Sequence, residues 1–204
     1  MDHYFATSPS APSRPGEVVL RLPDVELVLA TDTGVFSGSR VDPGTLALLR
    51  ESEPPPHAGD VLDLGCGYGP IACALARRAP GSTVWAVDVN ERARGLTAAN
   101  AARLGLHNVR VAAPDEVPPA VRFAGLWSNP PVRVGKAALH ELLSTWLARL
   151  EPGAAAWLVV NRHLGGDSLA AWLRTQGWDV ARAASKAGYR ILLARQDTTT
   201  GAKH

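Results

Sequence analysis

This sequence of 204 residues lacks long apolar runs, has few cysteines and shows almost no excess of one charge sign. No apolar run approaches the roughly 20 residues that a helix needs to cross a bilayer, which argues against a helical membrane protein. The first ten residues include Asp2 and lack a hydrophobic stretch, so they do not have the form of a secretory signal. We therefore expect a cytoplasmic protein.

The chain has only two cysteines, Cys66 and Cys73. Their spacing fits neither a zinc knuckle nor a CxxC redox pair. We expect both thiols to be reduced and partly buried, and we predict no metal site.

Charge is almost balanced, with 21 basic and 19 acidic side chains. A net charge of +2 does not require a nucleic-acid partner, although it can hide a local basic patch. An apolar content of 46% excludes disorder as the main state and is enough to build a core without disulfides or metals.

The remaining pattern predicts one folded domain, in which glycine and proline separate apolar segments. Alternating residues around Pro23-Asp24 indicate a β-hairpin, and strands then alternate with helices, as in a parallel sheet with crossover helices. We divide the chain into a flexible lead-in (1–16), one domain (17–197, comprising a hairpin at 17–30, a loop and short helix at 31–59 and a core at 60–197) and a tail (198–204).

Seven strands and five helices are predicted after the hairpin. The last two strands are joined by too few residues for a parallel crossover, so we expect the final strand to be antiparallel. The predicted strands are 60–64, 83–88, 109–112, 125–128, 154–161, 179–184 and 189–195. The predicted helices are 44–50, 70–79, 91–104, 136–150 and 168–176.

A glycine-rich turn joins the first core strand to its helix. Gly65, Gly67 and Gly69 let the backbone turn tightly and approach a ligand, and Pro70 suits the first helical turn. Asp88 ends the next strand, where a carboxylate can accept both hydroxyls of a ribose. Strand, glycine turn and acid together predict a nucleotide site.

A second motif, Ser128-Asn129-Pro130-Pro131-Val132, follows the fourth core strand and so belongs to the same edge of the sheet. The motif resembles the Asn-Pro-Pro motif of methyltransferases that modify nitrogens conjugated with a ring or a carbonyl. The resemblance implies that the amide oxygen of Asn129 and the carbonyl of Pro130 accept the two hydrogens of such an amino group. The prolines keep these acceptors aimed. Asn129, Pro130 and Pro131 are therefore the predicted catalytic residues.

The glycine spacing, GxGxG preceded by Asp63, resembles the S-adenosylmethionine site of class I methyltransferases, and the Asn-Pro-Pro motif resembles that of enzymes that methylate such nitrogens. Together with 34–37, 41–45, 162–164 and 186–190, these stretches resemble the MTS family, which contains 16S rRNA guanine-N2 methyltransferases and their large-subunit relatives. The resemblance implies an α/β Rossmann-like sheet of seven strands with an antiparallel last strand, plus the N-terminal β-hairpin.

The resemblance also implies that S-adenosyl-L-methionine is the cofactor. Phe36 and Ser37, within the cofactor-covering segment 31–59, would close over it. Asp88 would hold the ribose, and Asp115 or Glu116 would lie near the adenine amino group. The implied cofactor-binding residues are Phe36, Ser37, Asp63, Gly65, Cys66, Gly67, Gly69, Asp88, Val89, Asp115, Glu116 and Asn129.

The position after the two prolines departs from the family, which has there an aromatic residue that stacks on the target base; here it is Val132. We expect stacking from another residue, such as Phe36 or Tyr189, or aliphatic contact in its place. Basic residues near the same edge form a rim that could bind phosphates. The predicted substrate-binding residues are Val132, Arg133, Lys136, Arg162, His163, Lys186 and Tyr189.

The leading hypothesis is methylation of the exocyclic N2 of a guanine in 16S rRNA, with ribosomal RNA or the small subunit as partner. The base must be unpaired or flipped to reach the site. Alternatives are a guanine in 23S rRNA, adenine N6, a protein glutamine or a small molecule as acceptor, and a non-catalytic cofactor-binding protein of RNA assembly. The oligomeric state stays open.

Overall fold

A computed structural model of the protein describes residues 12–35 and 40–196. Its centre is a seven-stranded sheet that consists of β3 (Gly59–Leu64), β4 (Ser82–Val87), β5 (Val109–Ala112), β6 (Phe123–Ser128), β7 (Leu150–Asn161), β8 (Trp178–Lys186) and β9 (Tyr189–Gln196). The strand order is β5-β4-β3-β6-β7-β9-β8. Strands β3 to β7 run parallel, whereas β9 is antiparallel to both of its neighbours. The predicted α/β architecture with a reversed last strand is confirmed.

Helices cover both faces of the sheet, and their starts follow from local chemistry. Asp42 caps the first helix by accepting from the Thr45 N–H, and Asn90 caps the third. Prolines occupy the first turn of α1 and of α2, where a missing N–H costs little. The helices are α1 (Pro43–Glu51), α2 (Pro70–Arg78), α3 (Glu91–Arg103), α4 (Lys136–Leu147) and α5 (Gly166–Thr175).

The N-terminal hairpin consists of β1 (Gly16–Arg21) and β2 (Glu26–Thr31), which form a separate two-stranded sheet. Its alternate residues are buried in the same apolar core as α1, α2 and α3. Arg78 of α2 makes a two-point ion pair with Asp24 in the hairpin turn. The hairpin is thus attached to the face of the sheet that carries the glycine turn.

The opposite face is covered by α4 and α5, which enclose a second core. Four of the six tryptophans, Trp85, Trp127, Trp146 and Trp157, are buried. The two cysteines are free, and both are buried more completely than the predicted partial burial. No helix of the described chain is long and apolar enough to cross a membrane, and no group of three or more metal-ligating side chains occurs within it.

Several element boundaries differ from the prediction, and three of the differences follow from strand pairing. The helix expected to reach Leu150 ends at Leu147, and β7 begins at Leu150 because this residue pairs with Phe123 before a register shift in the ladder. Strand β8 continues to Lys186, beyond the predicted end at 184, because the hairpin turn is only Ala187-Gly188, both with positive φ. Such a two-residue turn lets the ladder run almost to its tip.

Candidate active site

A cavity of about 430 Å³ lies at the edge of the sheet where β3, β4, β6 and β7 end. Clefts outside the carboxyl ends of parallel strands are the usual ligand sites of such sheets. The predicted site residues among its walls are Gly65, Cys66, Gly67, Asp88, Asn129, Pro130, Pro131, Val132 and Tyr189. The two motifs found in the sequence therefore meet in one place.

The glycine turn forms one wall. Gly65 and Gly67 have φ of 76° and 59°, and a side chain on either would project into open space. The N–H groups of Gly65 and Cys66 donate to the carbonyl of Val87 at the end of β4. The turn is thus bent by a positive-φ backbone and leaves room for a ligand against it.

Helix α3 supports the turn from behind, through residues that the sequence analysis missed. Thr97 donates to the Gly67 carbonyl (2.9 Å), and its side chain leaves no room for a Cβ at Gly69. Asn100 donates to the carbonyls of Tyr68 (2.8 Å) and Ala30 (2.9 Å) and accepts from the Ala30 N–H (2.7 Å). Both side chains are fully buried. The available signal in the sequence was the spacing of these two polar residues, three apart on one side of an alanine-rich helix.

Asp63 lies beneath the turn and does not line the cavity directly. It is completely buried, and its Oδ2 accepts from the Ala72 N–H at 2.8 Å. Its Oδ1 has no hydrogen-bond partner within the described chain. Burial raises the pKa of Asp63 to about 8, with a further contribution from the Asp88 charge.

Asp88, which is expected to bind the ribose, is held in place by the glycine turn. Its Oδ2 accepts from the Gly67 N–H and its Oδ1 from the Asn90 N–H, both at 2.9 Å. Burial raises its pKa. A carboxylate has about four acceptor positions, so two remain for ribose hydroxyls. The open glycine wall and this fixed acid together fit the ribose of a nucleoside cofactor.

The Asn-Pro-Pro loop forms the wall opposite. Ser128, fully buried, donates to the Leu64 carbonyl at 2.6 Å and so ties the loop to the start of the glycine turn. The Pro130 carbonyl accepts from the Val132 N–H at 2.8 Å, which leaves one lone pair for another donor. The backbone acceptor is therefore held by its own turn.

Asn129 is held by residues from the N-terminal part of the chain. Its Nδ2 donates to Asp42 Oδ1 (2.9 Å) and to Thr45 Oγ1 (3.1 Å). Tyr189, at the start of β9, donates its hydroxyl to Asp42 Oδ2 at 3.2 Å. Asp42 and Thr45 were not predicted as site residues; the helix-capping sequence from Asp42 to Thr45 was the available signal.

Several predicted cofactor residues lie away from the cavity walls or outside the described chain. Phe36 and Ser37 fall outside the described residues. Asp115 and Glu116 form a 3₁₀ turn beyond β5, where Glu116 accepts from the Ala113 N–H. Besides Asp63, four predicted cofactor residues of the described chain do not line the cavity: Gly69, Val89, Asp115 and Glu116. Their assignment stays a prediction.

One basic residue of the predicted rim lies close to an acidic side chain, whereas others make no ion pair within the described chain. Lys136, Arg162 and His163 are exposed, with Arg162 contacting the His163 ring nitrogen at 3.2 Å. Lys186 lies 4.0 Å from Glu51. The side chain of Arg133 lies outside the described part. Within that part, neither Lys136 nor Arg162 makes an ion pair.

Strand order, reversed β9, glycine turn and terminal acid together define a class I S-adenosylmethionine-dependent methyltransferase. The sequence model of the methyltransferase small domain (MTS) family matches residues 26–193. The chain therefore belongs to the MTS family of S-adenosylmethionine-dependent methyltransferases.

Individual relatives support the same family. The chain is 34% identical over 198 residues to the uncharacterized protein YbxB of Bacillus subtilis, covering 96% of this chain and 98% of that protein. It is also 34% identical to ribosomal RNA small subunit methyltransferase C of Shewanella halifaxensis, over 71% of this chain and 43% of the relative.

Among solved structures, the T. thermophilus 16S rRNA N2 G1207 methyltransferase (RsmC), in complex with AdoMet and guanosine, matches with a TM-score of 0.73 and 26% identity. The match covers 93% of this chain and 52% of that protein. The chain thus spans about half the length of the rRNA methyltransferases that it matches and nearly the full length of YbxB.

Proposed function

We propose that the protein transfers a methyl group from S-adenosylmethionine to the exocyclic N2 of a guanine in 16S rRNA, in the cytoplasm. The similarity to small-subunit rRNA methyltransferases and to the T. thermophilus 16S rRNA N2 G1207 enzyme supports this acceptor. Residues 17–197 act in this proposal as one methyltransferase domain, with 31–59 covering the cofactor. The partner is then ribosomal RNA or the small ribosomal subunit.

One observation carries the proposal: Asn129 presents a fixed acceptor beside a second one. Because Asp42 and Thr45 hold its amide nitrogen, the amide oxygen is directed away from them, and no described residue donates to it. The free lone pair of the Pro130 carbonyl belongs to the same loop. Two acceptors match the two hydrogens of an exocyclic amine.

Bound S-adenosylmethionine supplies a methyl group on a sulfonium sulfur, which keeps the electron pair of the broken C–S bond. Asn129 and Pro130 hold the amine hydrogens, so the nitrogen lone pair is localised and can form the new N–C bond. One hydrogen then leaves the nitrogen as a proton to water. The residues act by position and electrostatics, which is where most catalytic stabilisation of this kind arises.

The cofactor-binding proposal assigns Asp88 to the ribose, and Gly65, Cys66 and Gly67 to the adjacent backbone wall. Asp63 and Gly69 support this wall from beneath. For the substrate, Val132 and Tyr189, which line the cavity, are assigned to a flipped base. The exposed Lys136, Arg162, His163 and Lys186 are assigned to phosphates.

The decisive experiment deletes the gene and maps, by mass spectrometry, which methylated nucleotide disappears from rRNA. Return of the methyl group with the wild-type gene and not with Asn129→Ala supports the proposal. Calorimetry of the purified variant, with retained cofactor affinity, separates lost chemistry from lost folding. Loss of a 23S guanine, an adenine N6 or a protein glutamine methyl group would identify a different acceptor, and an unchanged pattern would refute the enzymatic assignment.

A further inference from the structure

Asp42 joins three separate parts of the protein at the candidate site. The residue is 8% exposed and caps α1. Its Oδ1 accepts from the Thr45 N–H (3.0 Å) and from Asn129 Nδ2 (2.9 Å), and its Oδ2 accepts from the Tyr189 hydroxyl (3.2 Å). One carboxylate thus connects α1, the Asn-Pro-Pro loop and the first residue of β9.

We propose that Asp42 is a positioning residue for methyl transfer, which orients the Asn129 amide and makes its oxygen a stronger hydrogen-bond acceptor. The proposal rests on the proposed function, in which Asn129 accepts a hydrogen of the target amine. It concerns a residue that does not itself need to touch the substrate.

Orientation follows from the chemistry of the partners. An ionised carboxylate can only accept hydrogen bonds, so the Asn129 group that faces it must be the NH₂. Thr45 Oγ1 offers a second acceptor to the same nitrogen at 3.1 Å. A rotated amide would place its oxygen against Asp42 Oδ1, and the repulsion between these two oxygens disfavours it. The acceptor oxygen is therefore preset before a substrate arrives.

Polarisation follows from the charge. A carboxylate that accepts from an amide N–H draws positive charge onto that nitrogen and shifts electron density to the amide oxygen. The amine hydrogens of the substrate become more positive as the N–C bond forms. A more negative Asn129 oxygen then stabilises the transition state more than the ground state. The polarisation by Asp42 is therefore expected to raise kcat.

Tyr189 shares this arrangement and links it to the substrate side of the cavity. Its ring packs against the first turn of α1, so closely that a Cβ at Gly44 would lie 2.6 Å from it. Burial and the neighbouring Asp42 charge raise the pKa of Tyr189, which keeps its hydroxyl protonated as a donor. Asp42 thereby fixes both the acceptor and an aromatic wall of the same cavity.

Asp42→Asn tests the charge with little change of shape. The new amide oxygen can still accept from the Thr45 N–H and from Asn129, and asparagine is as good a helix cap as aspartate. The expected result is a kcat about tenfold lower with unchanged KM and cofactor affinity. Asp42→Ala, which also frees the Asn129 amide, is expected to lower kcat further.

A measurement without cofactor or substrate keeps the test independent of activity. In NMR spectra of the ligand-free protein, the side-chain amide signals of Asn129 are expected to shift and to exchange faster with water in Asp42→Asn. The matched control is Asp179→Asn, which removes the same charge from an exposed strand position. This control is expected to leave both kcat and the Asn129 signals unchanged.

Wild-type kcat together with unshifted Asn129 signals in Asp42→Asn would overturn the proposal. So would a loss of activity that is fully explained by weaker folding or weaker cofactor binding. A wild-type protein that methylates no RNA but shows the Asn129 shift on loss of the Asp42 charge would refute the proposed function alone, since the contact would stand without that chemistry.

Discussion

The buried carboxyl of Asp63, whose Oδ1 has no hydrogen-bond partner among the described residues, predicts an unusual dependence of stability on pH. Burial raises its pKa to about 8 from an ordinary value of 3.8. The folded protein therefore binds this proton more tightly than the unfolded chain does. The stability that the proton contributes is fully present below about pH 4 and is lost as the pH rises to about 8. Over this range the free energy of unfolding falls by about 1.4 kcal/mol per pH unit from this one group.

Asp63→Asn isolates the effect, because a neutral amide of nearly the same shape replaces the protonated acid and can still accept from the Ala72 N–H. Urea denaturation of both proteins at several pH values gives the difference between their free energies of unfolding. Groups common to both proteins cancel in this difference. We expect the variant to gain about 3 kcal/mol relative to the wild type between about pH 5 and about pH 7.

Parallel pH curves for the two proteins would refute the reasoning, because they would show that Asp63 titrates alike in the folded and unfolded states. A difference that grows toward acid pH would have the wrong sign and would indicate an ionised, stabilised carboxylate. Asp179→Asn serves as the matched control, since it makes the same substitution at an exposed position.

Three further predictions concern the surroundings of the cavity. Asn100→Ala should lower the free energy of unfolding by about 2–4 kcal/mol in urea denaturation, because Ala30 and Tyr68 lose buried hydrogen bonds; a loss within experimental error would contradict this. Asp88→Ala should weaken S-adenosylmethionine binding in calorimetry, and unaltered affinity would refute the ribose assignment. Arg162→Ala should weaken RNA binding and lower its dependence on salt by about one counterion, and an unchanged salt slope would exclude this side chain from the phosphate contacts.

Local features of the sequence predicted the sheet and the wall of the cavity that the glycine turn forms. The glycine turn, Pro70 and the acid at Asp88 carry their conformational requirements within a short stretch, so spacing alone was enough. The short link between the last two strands likewise allowed only an antiparallel pair, which the structure confirms. The conformation of such segments is determined by interactions among residues that are close in sequence.

The support of the site could not be predicted in the same way, because its contacts join distant parts of the chain. Asp42 and Asn129 are 87 positions apart, and Ala30 and Asn100 are 70 apart. The sequence around a polar residue in a helix does not indicate which distant segment its side chain will contact. The early start of β7 at Leu150 was missed for a related reason, since it depends on pairing with Phe123 and not on local periodicity.

The position of β9 has a consequence for how the protein is made. The last strand of the described chain lies inside the sheet, between β7 and β8, and its first residue reaches Asp42 across 147 positions. During synthesis, the edge of β7 that pairs with β9 keeps unpaired N–H and C=O groups until β9 has been made. A chain shortened before Tyr189 would lose an inner strand, leave β7 open to pairing with other chains, and release the clamp on Asn129.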